Sequence, residues 1–306
     1  MIAVIGGTGL GHALFGDTAG VEHQPETPFG RPSGPIRVVN WNGLEVALLA
    51  RHGPGHTFNP SQVPYRANIY ALKSLGVTHI IASGAVGSLR EEIRPRDLVI
   101  VDQVIDKTFR RAPTFFDEAL AVHVEFADPF CPDLRRLLQS VASQVETTVH
   151  PRGTYVCMEG PAFSTRAESL MHRAWGGDLI GMTCMPEAKL AREAEICYAL
   201  VALPTDYDCW RPHEPGLTPQ QLLSEIIDHL HHATANAVAL IRAAIAASAQ
   251  RPLPPSPIHS ALALAIWTRP ENIAPAVFAR YEALLGRYMP QRRPNPAGEA
   301  DVVSSR

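Results

Sequence analysis

An acidic pair after an apolar segment is the clearest sign of chemistry in this sequence. The segment CYALVALP leads into TDYDCW, which places Asp206 and Asp208 two residues apart. If the chain stays extended there, both carboxylates point to the same side, because side chains alternate along a strand. Two such carboxylates can accept hydrogen bonds from amino groups, and one can act as a general acid. An Asp-x-Asp turn and a magnesium site are the alternatives that this pattern leaves open.

A second signal is the glycine-rich opening MIAVIGGTGLG, in which an apolar run leads into Gly6, Gly7 and Gly9. Glycines directly after a strand let the backbone approach a ligand closely, often a phosphate. The spacing also fits a loose dinucleotide-binding fingerprint, which needs a full helix and then an acidic residue at the end of a second strand. Here only residues 10–17 are compatible with that helix, and Glu22 follows in a loop-like context. A dinucleotide-dependent reductase is therefore disfavoured.

Small and polar residues also follow other predicted strands, in RHG (51–53), SGAVGS (83–88) and GMT (181–183). Ligands of α/β sheets bind at the carboxyl ends of the strands. Together these strand ends would offer hydroxyl groups, backbone N–H groups and an arginine, which suit an oxyanion. The sequence therefore predicts a site for a single phosphate or sulfate.

Alternating strand-like and helix-like segments predict an α/β fold to position these groups. IRVVNWNGLEVALLAR is predicted as a hairpin whose turn is Asn42-Gly43, and DLVIVDQVID as one further strand. Helices are predicted to begin at Thr165 and Thr218, each followed three residues later by Glu or Gln in a capping-box pattern. The second of these helices is expected to continue to about Ser248.

Composition narrows the function classes. The 306 residues are 46% hydrophobic, and the formal charge of −3 gives no electrostatic footprint for nucleic acid or an anionic membrane. The five cysteines form no C-x-x-C pair, which argues against a disulfide framework and a zinc site. His229, His231 and His232 are interpreted as solvated helix residues, and no metal is expected. Because no signal-like or membrane-spanning segment is evident, the expected location is the cytoplasm.

A proline-rich segment, RPLPPSP at 251–257, interrupts the alternating pattern and is predicted as a linker. We therefore predict a catalytic domain over 1–248 and a C-terminal extension over 249–306. The extension is expected to contain one or two helices and to end in a disordered tail from Pro290.

Many ordered motifs before that extension resemble one known family. They are GGTGL, TPFGRPS, LLARHG, GHT, GSLREEI, DQVID, DPFCP, MEGPAFSTRAES, GMTCMPEAKLAREA and TDYDCW, within residues 1–245. Together they resemble the 5′-methylthioadenosine phosphorylases of the trimeric purine nucleoside phosphorylase family. The resemblance implies a single α/β domain with a central mixed, partly barrel-like sheet flanked by helices. It also implies a homotrimer in which a neighbouring subunit completes each active site, with phosphate as co-substrate and no cofactor.

By motif match, the resemblance assigns the phosphate to residues that follow several strands. These are Thr8, Arg51, His52, Gly84, Ala85, Ser164 and Thr183. Family members commonly carry Thr or Ser where this chain has Gly84, so one hydroxyl donor is missing and weaker phosphate binding is expected. The alternatives are a turn role for Thr8, helix caps at Ser164 and Thr183, and a surface ion pair at Arg51-His52.

For the nucleoside, the resemblance assigns Asp206 to hydrogen-bond or protonate N7 of the purine. It assigns Asp208 to accept a hydrogen bond from the exocyclic amine. An aspartate accepts a hydrogen bond from a 6-amino group, whereas a 6-oxo group would repel it. The other residues assigned to the substrate are Phe163, Met182, Tyr207, Pro219, Leu223 and His56. Leu217, Leu222 and their neighbours are apolar, which favours a 5′-methylthio group over a 5′-hydroxyl. His123 is assigned either to a neighbour's pocket or to the surface.

The leading hypothesis is therefore phosphorolysis of 5′-deoxy-5′-methylthioadenosine to adenine and 5-methylthioribose 1-phosphate, in purine and methionine salvage. A broader purine nucleoside or 5′-methylthioinosine phosphorylase is the alternative within the class. A binding protein that has lost catalysis is the alternative outside it, and Gly84 is the residue that suggests it.

Overall fold

Strands and helices alternate along most of the chain, which confirms the predicted α/β class. The computed structural model describes residues 1–15, 19–212, 216 and 218–289, so Leu217 and the predicted tail from Pro290 lie outside the described residues. The strands are β1 (Ile2–Gly6), β2 (Val21–His23), β3 (Ile36–Trp41), β4 (Leu44–Ala50), β5 (His79–Ser88), β6 (Leu98–Ile100), β7 (Gln103–Lys107), β8 (Val149–His150), β9 (Thr154–Met158), β10 (Leu179–Gly181) and β11 (Cys197–Asp206). The α-helices are α1 (Leu10–Phe15), α2 (Tyr65–Ser74), α3 (Pro132–Ser140), α4 (Arg166–Ala174), α5 (Glu187–Glu193), α6 (Pro219–Gln250), α7 (Pro275–Arg280) and α8 (Glu282–Leu285). Short 3-10 helices occupy Pro54–His56, Ala142–Gln144, Pro257–Ser260 and Pro270–Asn272.

All of these strands belong to one mixed sheet, whose main path has the order β2-β3-β4-β1-β5-β10-β9-β7. β5 is the point where the sheet branches, because β11 pairs with it along its whole length and also pairs with β6. β1, β4, β5 and β11 are parallel, so their carboxyl ends lie at one edge of the sheet. The branched mixed sheet with flanking helices confirms the predicted architecture.

Local sequence signals account for several element boundaries. Asn42 and Gly43 have φ values of 54° and 82°, the positive values that a type I′ hairpin turn requires. Thr165 and Thr218 each complete a capping box, so α4 and α6 begin where the sequence predicts. Although α6 has 32 residues, neither it nor any other described helix combines the length and apolar character needed to cross a bilayer.

The prediction of a single strand over 97–106 is wrong. β6 pairs with β11, whereas β7 pairs with β9, so the chain changes partner between them. The Val101 N–H donates to Leu200 O, and the Asp102 N–H donates to Gly153 O on the other side. This change of partner cannot be read from an uninterrupted apolar pattern.

The C-terminal segment shares the core of the sheet domain. Leu262, Phe278 and Tyr281 are buried in the same hydrophobic cluster as Ile80 of β5. An antiparallel bridge joins Val122 to Ile266 and fastens the segment to the loop before α3. The predicted boundary near 248 coincides with the end of α6, and the segment beyond it packs against the domain that precedes it.

Candidate active site

The loop after β1 lies against the middle of β5, because the β1 ladder ends at Ala82 while β5 continues. The Gly7 N–H donates to Ser83 Oγ over 3.4 Å. A Cβ added at Gly7 would lie 2.7 Å from Ser83 O and 2.7 Å from Arg51 Nη1, so a side chain there would displace the loop. Thr8, the next residue, is exposed. The structure thus brings three of the predicted strand ends together.

Arg51 is fully buried and held in a bidentate ion pair. Its Nε and Nη2 each donate to a Glu187 carboxylate oxygen over 2.7 Å, and its Nη1 donates to Ser83 O over 2.7 Å. The Tyr198 hydroxyl donates to the same carboxylate. Burial opposes the charge, but Glu187 outweighs it, so the pKa of Arg51 is raised above its ordinary value. The pair is therefore a buried one and not the surface pair that the sequence left open.

His52 is a neutral ring with a defined orientation. Its Nδ1 lies 2.8 Å from Phe58 O, and its ring stacks on His56 with 4.3 Å between centroids. Burial, and then the charge of Arg51, lower the pKa of His52 to about 4. Because a carbonyl oxygen can only accept, Nδ1 carries the proton and Nε2 has a lone pair. His52 can therefore accept a hydrogen bond from a protonated phosphate oxygen or a sugar hydroxyl.

Thr183 joins this group from β10, which runs antiparallel to the far end of β5. A Cβ added at Gly84 would lie 3.3 Å from Thr183 Oγ1, which shows how close the two residues are. Thr183 is buried, and its N–H donates to the Tyr155 hydroxyl over 3.4 Å. Ala85, next along β5, is half-buried. The Thr183 hydroxyl thus lies beside the Gly84 position of β5.

Asp206 and Asp208 form a turn, so the condition of an extended chain, under which both carboxylates would share one side, is not met. Asp206 is the last residue of β11, and its Oδ2 accepts from the Asp208 N–H over 3.0 Å, as in an Asx turn. Asp208 has a φ of 47°. Its Oδ2 accepts from the Ser169 hydroxyl of α4 over 2.5 Å. The Asp-x-Asp turn alternative is therefore realised, and it fixes both carboxylates beside the end of β5.

Two further contacts position this acidic turn. A Cβ added at Gly87 would lie 3.1 Å from Asp208 Cβ, so the glycine of β5 allows the turn to approach. Tyr207 donates from its hydroxyl to Glu91 O over 3.3 Å, and the Arg211 guanidinium lies 4.4 Å from the centre of its ring. Tyr207 is thereby directed along the loop after β5.

Ser164 lies with the acidic turn and not among the described contacts of Arg51 and Thr183. Its carbonyl accepts from the Cys209 thiol over 3.2 Å, and its hydroxyl contacts Met158 Sδ. The preceding Phe163 is 86% exposed. None of these contacts joins Ser164 to Arg51 or Thr183, so its phosphate role stays a prediction, and its segment lies beside the acidic turn.

The remaining predicted substrate residues are half-buried or exposed. Met182 is half-buried, with its Sδ 2.5 Å from the position of a Cβ on Gly160. Pro219 and Leu223 are exposed on the first turns of α6, with Leu222 half-buried between them. His56 has a φ of 58° and is also exposed.

His123 contacts the C-terminal segment and none of these groups. Its N–H donates to Ala265 O over 2.9 Å, and its ring packs edge-on against Trp267 with 5.2 Å between centroids. Trp267 and the nearby Leu264 are both strongly exposed. His123 therefore belongs to an apolar surface that the C-terminal segment helps to form.

Sequence reasoning missed a buried network behind Met182. Arg111 donates from Nη1 to the carbonyl oxygens of Met182 and Met185, and from Nη2 to Glu159 O. The Glu159 side chain accepts from the Ser61 hydroxyl. Burial raises the pKa of Glu159, but hydrogen bonds from Ser61 and from backbone N–H groups, together with the charge of Arg111, outweigh burial and lower the pKa to about 2. The signal was present, because Glu159 lies in the quoted motif MEGP, but nothing in the sequence indicated its partners.

The three histidines of α6 do not converge on one point. His229 Nδ1 lies 2.9 Å from Thr205 O, whereas His232 Nδ1 lies 2.9 Å from the carbonyl of Asp228 in its own helix. His231 is exposed. His229 is a support for the end of β11, which sequence reasoning did not foresee.

Comparison with known proteins defines the class of this fold and site. The family model of the phosphorylase superfamily matches residues 1–246, and the chain belongs to that superfamily. An S-methyl-5′-thioadenosine phosphorylase of Gloeobacter violaceus is 49% identical over 298 residues, which cover 96% of this chain and 97% of the relative. The alignment therefore continues past Arg251, beyond the motifs that carry the resemblance in the sequence.

Solved structures agree with this placement. The crystal structure of a methylthioadenosine phosphorylase from an antarctic soil metagenomic library has a TM-score of 0.82 at 46% identity, covering 93% of this chain and 98% of that one. A variant of the adenosine/methylthioadenosine phosphorylase of Schistosoma mansoni, in complex with methylthioadenosine, has a TM-score of 0.72 at 36% identity and covers 80% of this chain and 90% of that one.

Proposed function

We propose that this chain catalyses the phosphorolysis of 5′-methylthioadenosine. The observation that carries the proposal is that a cationic and hydroxyl-bearing group and an acidic turn lie at the same edge of the sheet. Thr183 lies beside Gly84, Arg51 with the adjoining His52 donates to the neighbouring Ser83 O, and the Asp206–Asp208 turn lies against Gly87 on the same strand. The names of the similar proteins support the same reaction.

In this reaction a phosphate oxygen forms a bond to C1′ of the ribose while the C1′–N9 bond breaks. The electron pair of the broken bond goes to the adenine, which takes up the proton that monohydrogen phosphate brings. Thr8, Arg51 and Thr183 hold the phosphate, with backbone N–H groups of Gly84 and Ala85. Charge-assisted hydrogen bonds from a buried guanidinium are strong and directional, so they fix the nucleophile. No cofactor is required, because phosphate is the co-substrate.

The acidic turn selects and assists the leaving base. Asp206, in its protonated form, donates its proton to N7 as the C1′–N9 bond breaks and takes up in turn the proton that monohydrogen phosphate brings, and Asp208 accepts from the 6-amino group. Ser169 and the backbone N–H of Asp208 hold the two carboxylates in place. We assign Ser164 to this base side, together with Phe163, Tyr207 and the half-buried Met182. Carboxylates disfavour a 6-oxo group, which sets adenine apart from hypoxanthine.

We further propose that the enzyme is a homotrimer that acts in the cytoplasm. Large apolar side chains remain exposed at Phe109, Phe163, Leu264 and Trp267, and a neighbouring subunit would cover such a surface. His123 lies on this surface and would enter a neighbour's 5′ pocket beside Leu223. The five cysteines are all free thiols, as is usual in a reducing compartment.

A broader specificity that includes adenosine is the second candidate. Leu223 is 58% exposed in the single chain, so the 5′ pocket is open on one side. One similar structure is named an adenosine/methylthioadenosine phosphorylase. Neither carboxylate distinguishes the two nucleosides, because adenosine and 5′-methylthioadenosine carry the same base.

The test is release of free base with and without phosphate from 5′-methylthioadenosine, adenosine, 5′-methylthioinosine and inosine. We expect phosphate-dependent release of adenine, fastest from 5′-methylthioadenosine. Asp206→Asn should lower kcat by about 10²- to 10⁴-fold, the usual contribution of proton transfer to a leaving group. Glu146→Gln, at an exposed acid before β8, is the control. Preference of the unmodified enzyme for either inosine substrate would contradict the roles of Asp206 and Asp208.

A further inference from the structure

A group of potential metal ligands lies at the edge of the sheet opposite the candidate active site. His79, Cys197 and His259 each bring one ligand atom within 4.8 Å of the other two. His79 and Cys197 are the first residues of β5 and β11 and are direct partners in the parallel ladder. His259 comes from the 3-10 helix Pro257–Ser260, after the proline-rich linker. Three distant parts of the chain therefore meet at the amino ends of the strands.

The hydrogen bonds of this group leave one nitrogen unexplained. His259 Nε2 lies 3.5 Å from Cys197 Sγ and 3.3 Å from Thr78 O. His79 is only 8% exposed, and its Nε2 is buried without a hydrogen-bond partner among the described residues. Leaving a buried polar atom unpaired costs about 1–3 kcal/mol, so such an atom in a native fold calls for a ligand.

The other nitrogen of His79 is held as a metal-bound histidine would require. Nδ1 lies 2.9 Å from Thr78 Oγ1, and the Thr78 hydroxyl donates to Met1 O over 3.3 Å. When the hydroxyl proton goes to Met1, Nδ1 donates its own proton to Thr78, and in this tautomer Nε2 presents its lone pair. Hydrogen bonds of this kind orient histidine ligands in metalloproteins.

We propose that His79, Cys197 and His259 bind Zn²⁺. A tetrahedral zinc with Zn–S of about 2.3 Å and Zn–N of about 2.0 Å places sulfur and nitrogen ligands about 3.5 Å apart. The distance between Cys197 Sγ and His259 Nε2 is 3.5 Å. On binding, Zn²⁺ replaces the thiol proton of Cys197, which leaves to solvent through the half-buried His259 side. The His259 ring gives up its contact with Thr78 O and takes the tautomer with the proton on Nδ1, so that Nε2 offers its lone pair to the metal.

His79 and Cys197 are buried and His259 is half-buried, so the group lies inside the protein with one side towards solvent. The three residues would supply one thiolate and two imidazoles to a tetrahedral zinc, and a water molecule would take the fourth position.

The consequence is a cross-link between the C-terminal segment and the sheet. His259 is attached to the segment that carries Leu262 and Phe278 into the core, whereas His79 and Cys197 belong to the two central strands. Zinc binding would therefore hold the segment in place without entering the chemistry at the other sheet edge. The proposal is independent of the proposed phosphorolysis.

The experiment uses the full chain without a polyhistidine tag, because a tag would itself bind zinc. The protein is loaded with ZnCl₂ and dialysed, and its zinc content is measured by inductively coupled plasma mass spectrometry. Zinc is then removed with a chelator, and the metal-free protein is titrated with Co²⁺. A thiolate-to-cobalt charge-transfer band reports a cysteine ligand. His259→Gln and Cys197→Ser are compared with His231→Gln, a matched change at an exposed histidine of α6.

We expect about one zinc per chain, a thiolate band with Co²⁺, and a lower Tm after chelation that zinc restores. Each ligand variant should lose more zinc affinity than the roughly 10- to 100-fold that follows loss of an outer hydrogen-bond partner. His231→Gln should behave as the unmodified protein does. If Cys197→Ser does not fold, the Co²⁺ spectrum of the unmodified chain still decides.

Three results would overturn the proposal. The first is a loaded protein without zinc and without a thiolate band. The second is zinc retained equally by His259→Gln and the unmodified chain. The third is a disulfide between Cys131 and Cys197 in protein purified without reductant, because it would remove the thiolate ligand.

Discussion

The proposed phosphate end and the proposed 5′ end of the candidate active site are built in different ways. At the proposed phosphate end, Arg51 and Glu187 are buried in the core and joined by two hydrogen bonds. At the proposed 5′ end, Leu223 is apolar but 58% exposed. A charged site must be preorganised by the chain that carries it, because an unpaired buried charge is costly. An apolar pocket can be completed later, by assembly.

The largest effect is expected at the buried ion pair. Glu187→Gln leaves the Arg51 charge in the core without a counter-charge, which should lower the free energy of unfolding by about 3–5 kcal/mol. Urea denaturation measures it. The control is Glu22→Gln, which breaks the more exposed pair with Arg37 and should cost at most about 1 kcal/mol. Equal losses in the two variants would contradict the contrast between core and surface.

A second test uses the neutral state of His52. Unfolded histidine takes up a proton near pH 6.5, whereas folded His52 does so only near pH 4. The unfolded state therefore binds more protons between these values, and stability falls as the pH falls from 6.5 towards 4. His52→Asn should reduce this loss between pH 6.5 and 4.5 by about 2 kcal/mol. The pKa of His79 is lowered as well, but it is lowered in both the unmodified protein and the variant, so its contribution cancels when the two are compared. An unchanged pH slope would show that His52 titrates normally.

At the 5′ end, Leu223→Ser should raise KM for 5′-methylthioadenosine roughly tenfold, because a lost apolar contact is worth about 1.5 kcal/mol. The KM for phosphate and the KM for adenosine should change little. Val21→Ser is the control, since it alters an exposed apolar residue on the edge strand β2. A parallel rise in the KM for phosphate would mean that the two ends are not separable.

The smallest effect is expected at Gly84. Gly84→Thr adds a hydroxyl donor, worth about 1 kcal/mol, so KM for phosphate should fall about fivefold. The added Cβ would lie 3.3 Å from Thr183 Oγ1, a contact that needs only a small shift. Gly84→Ala adds the same Cβ without the hydroxyl and should not lower KM. If both variants raise KM, crowding of Thr183 outweighs the new donor.

The sequence allowed local features to be predicted, because their partners are close along the chain. The Asn42-Gly43 turn and the caps at Thr165 and Thr218 depend on neighbours within three residues. Arg51 was placed at the phosphate site by motif, but its partner Glu187 lies 136 residues away. No pattern in the sequence joins them.

What the sequence left open has equally physical causes. The prediction that both carboxylates of Asp206 and Asp208 share one side depended on an extended chain, but the left-handed Asp208 turns the chain as soon as β11 ends. The expectation that no metal binds stays a prediction, because the absence of a C-x-x-C pair tests only ligands that are adjacent in sequence. His79 and Cys197, which we propose as zinc ligands, are neighbours because the two strands pair.

The position of the C-terminal segment in the core also constrains the order in which the protein can fold. Leu262, Phe278 and Tyr281 belong to the same buried hydrophobic cluster as residues of β5. During synthesis, the N-terminal strands emerge from the ribosome first. The C-terminal residues that pack against them are synthesised last. Until then the nascent sheet presents an uncovered apolar face, the state in which growing chains aggregate or engage chaperones. Folding is therefore completed only after release of nearly the whole polypeptide.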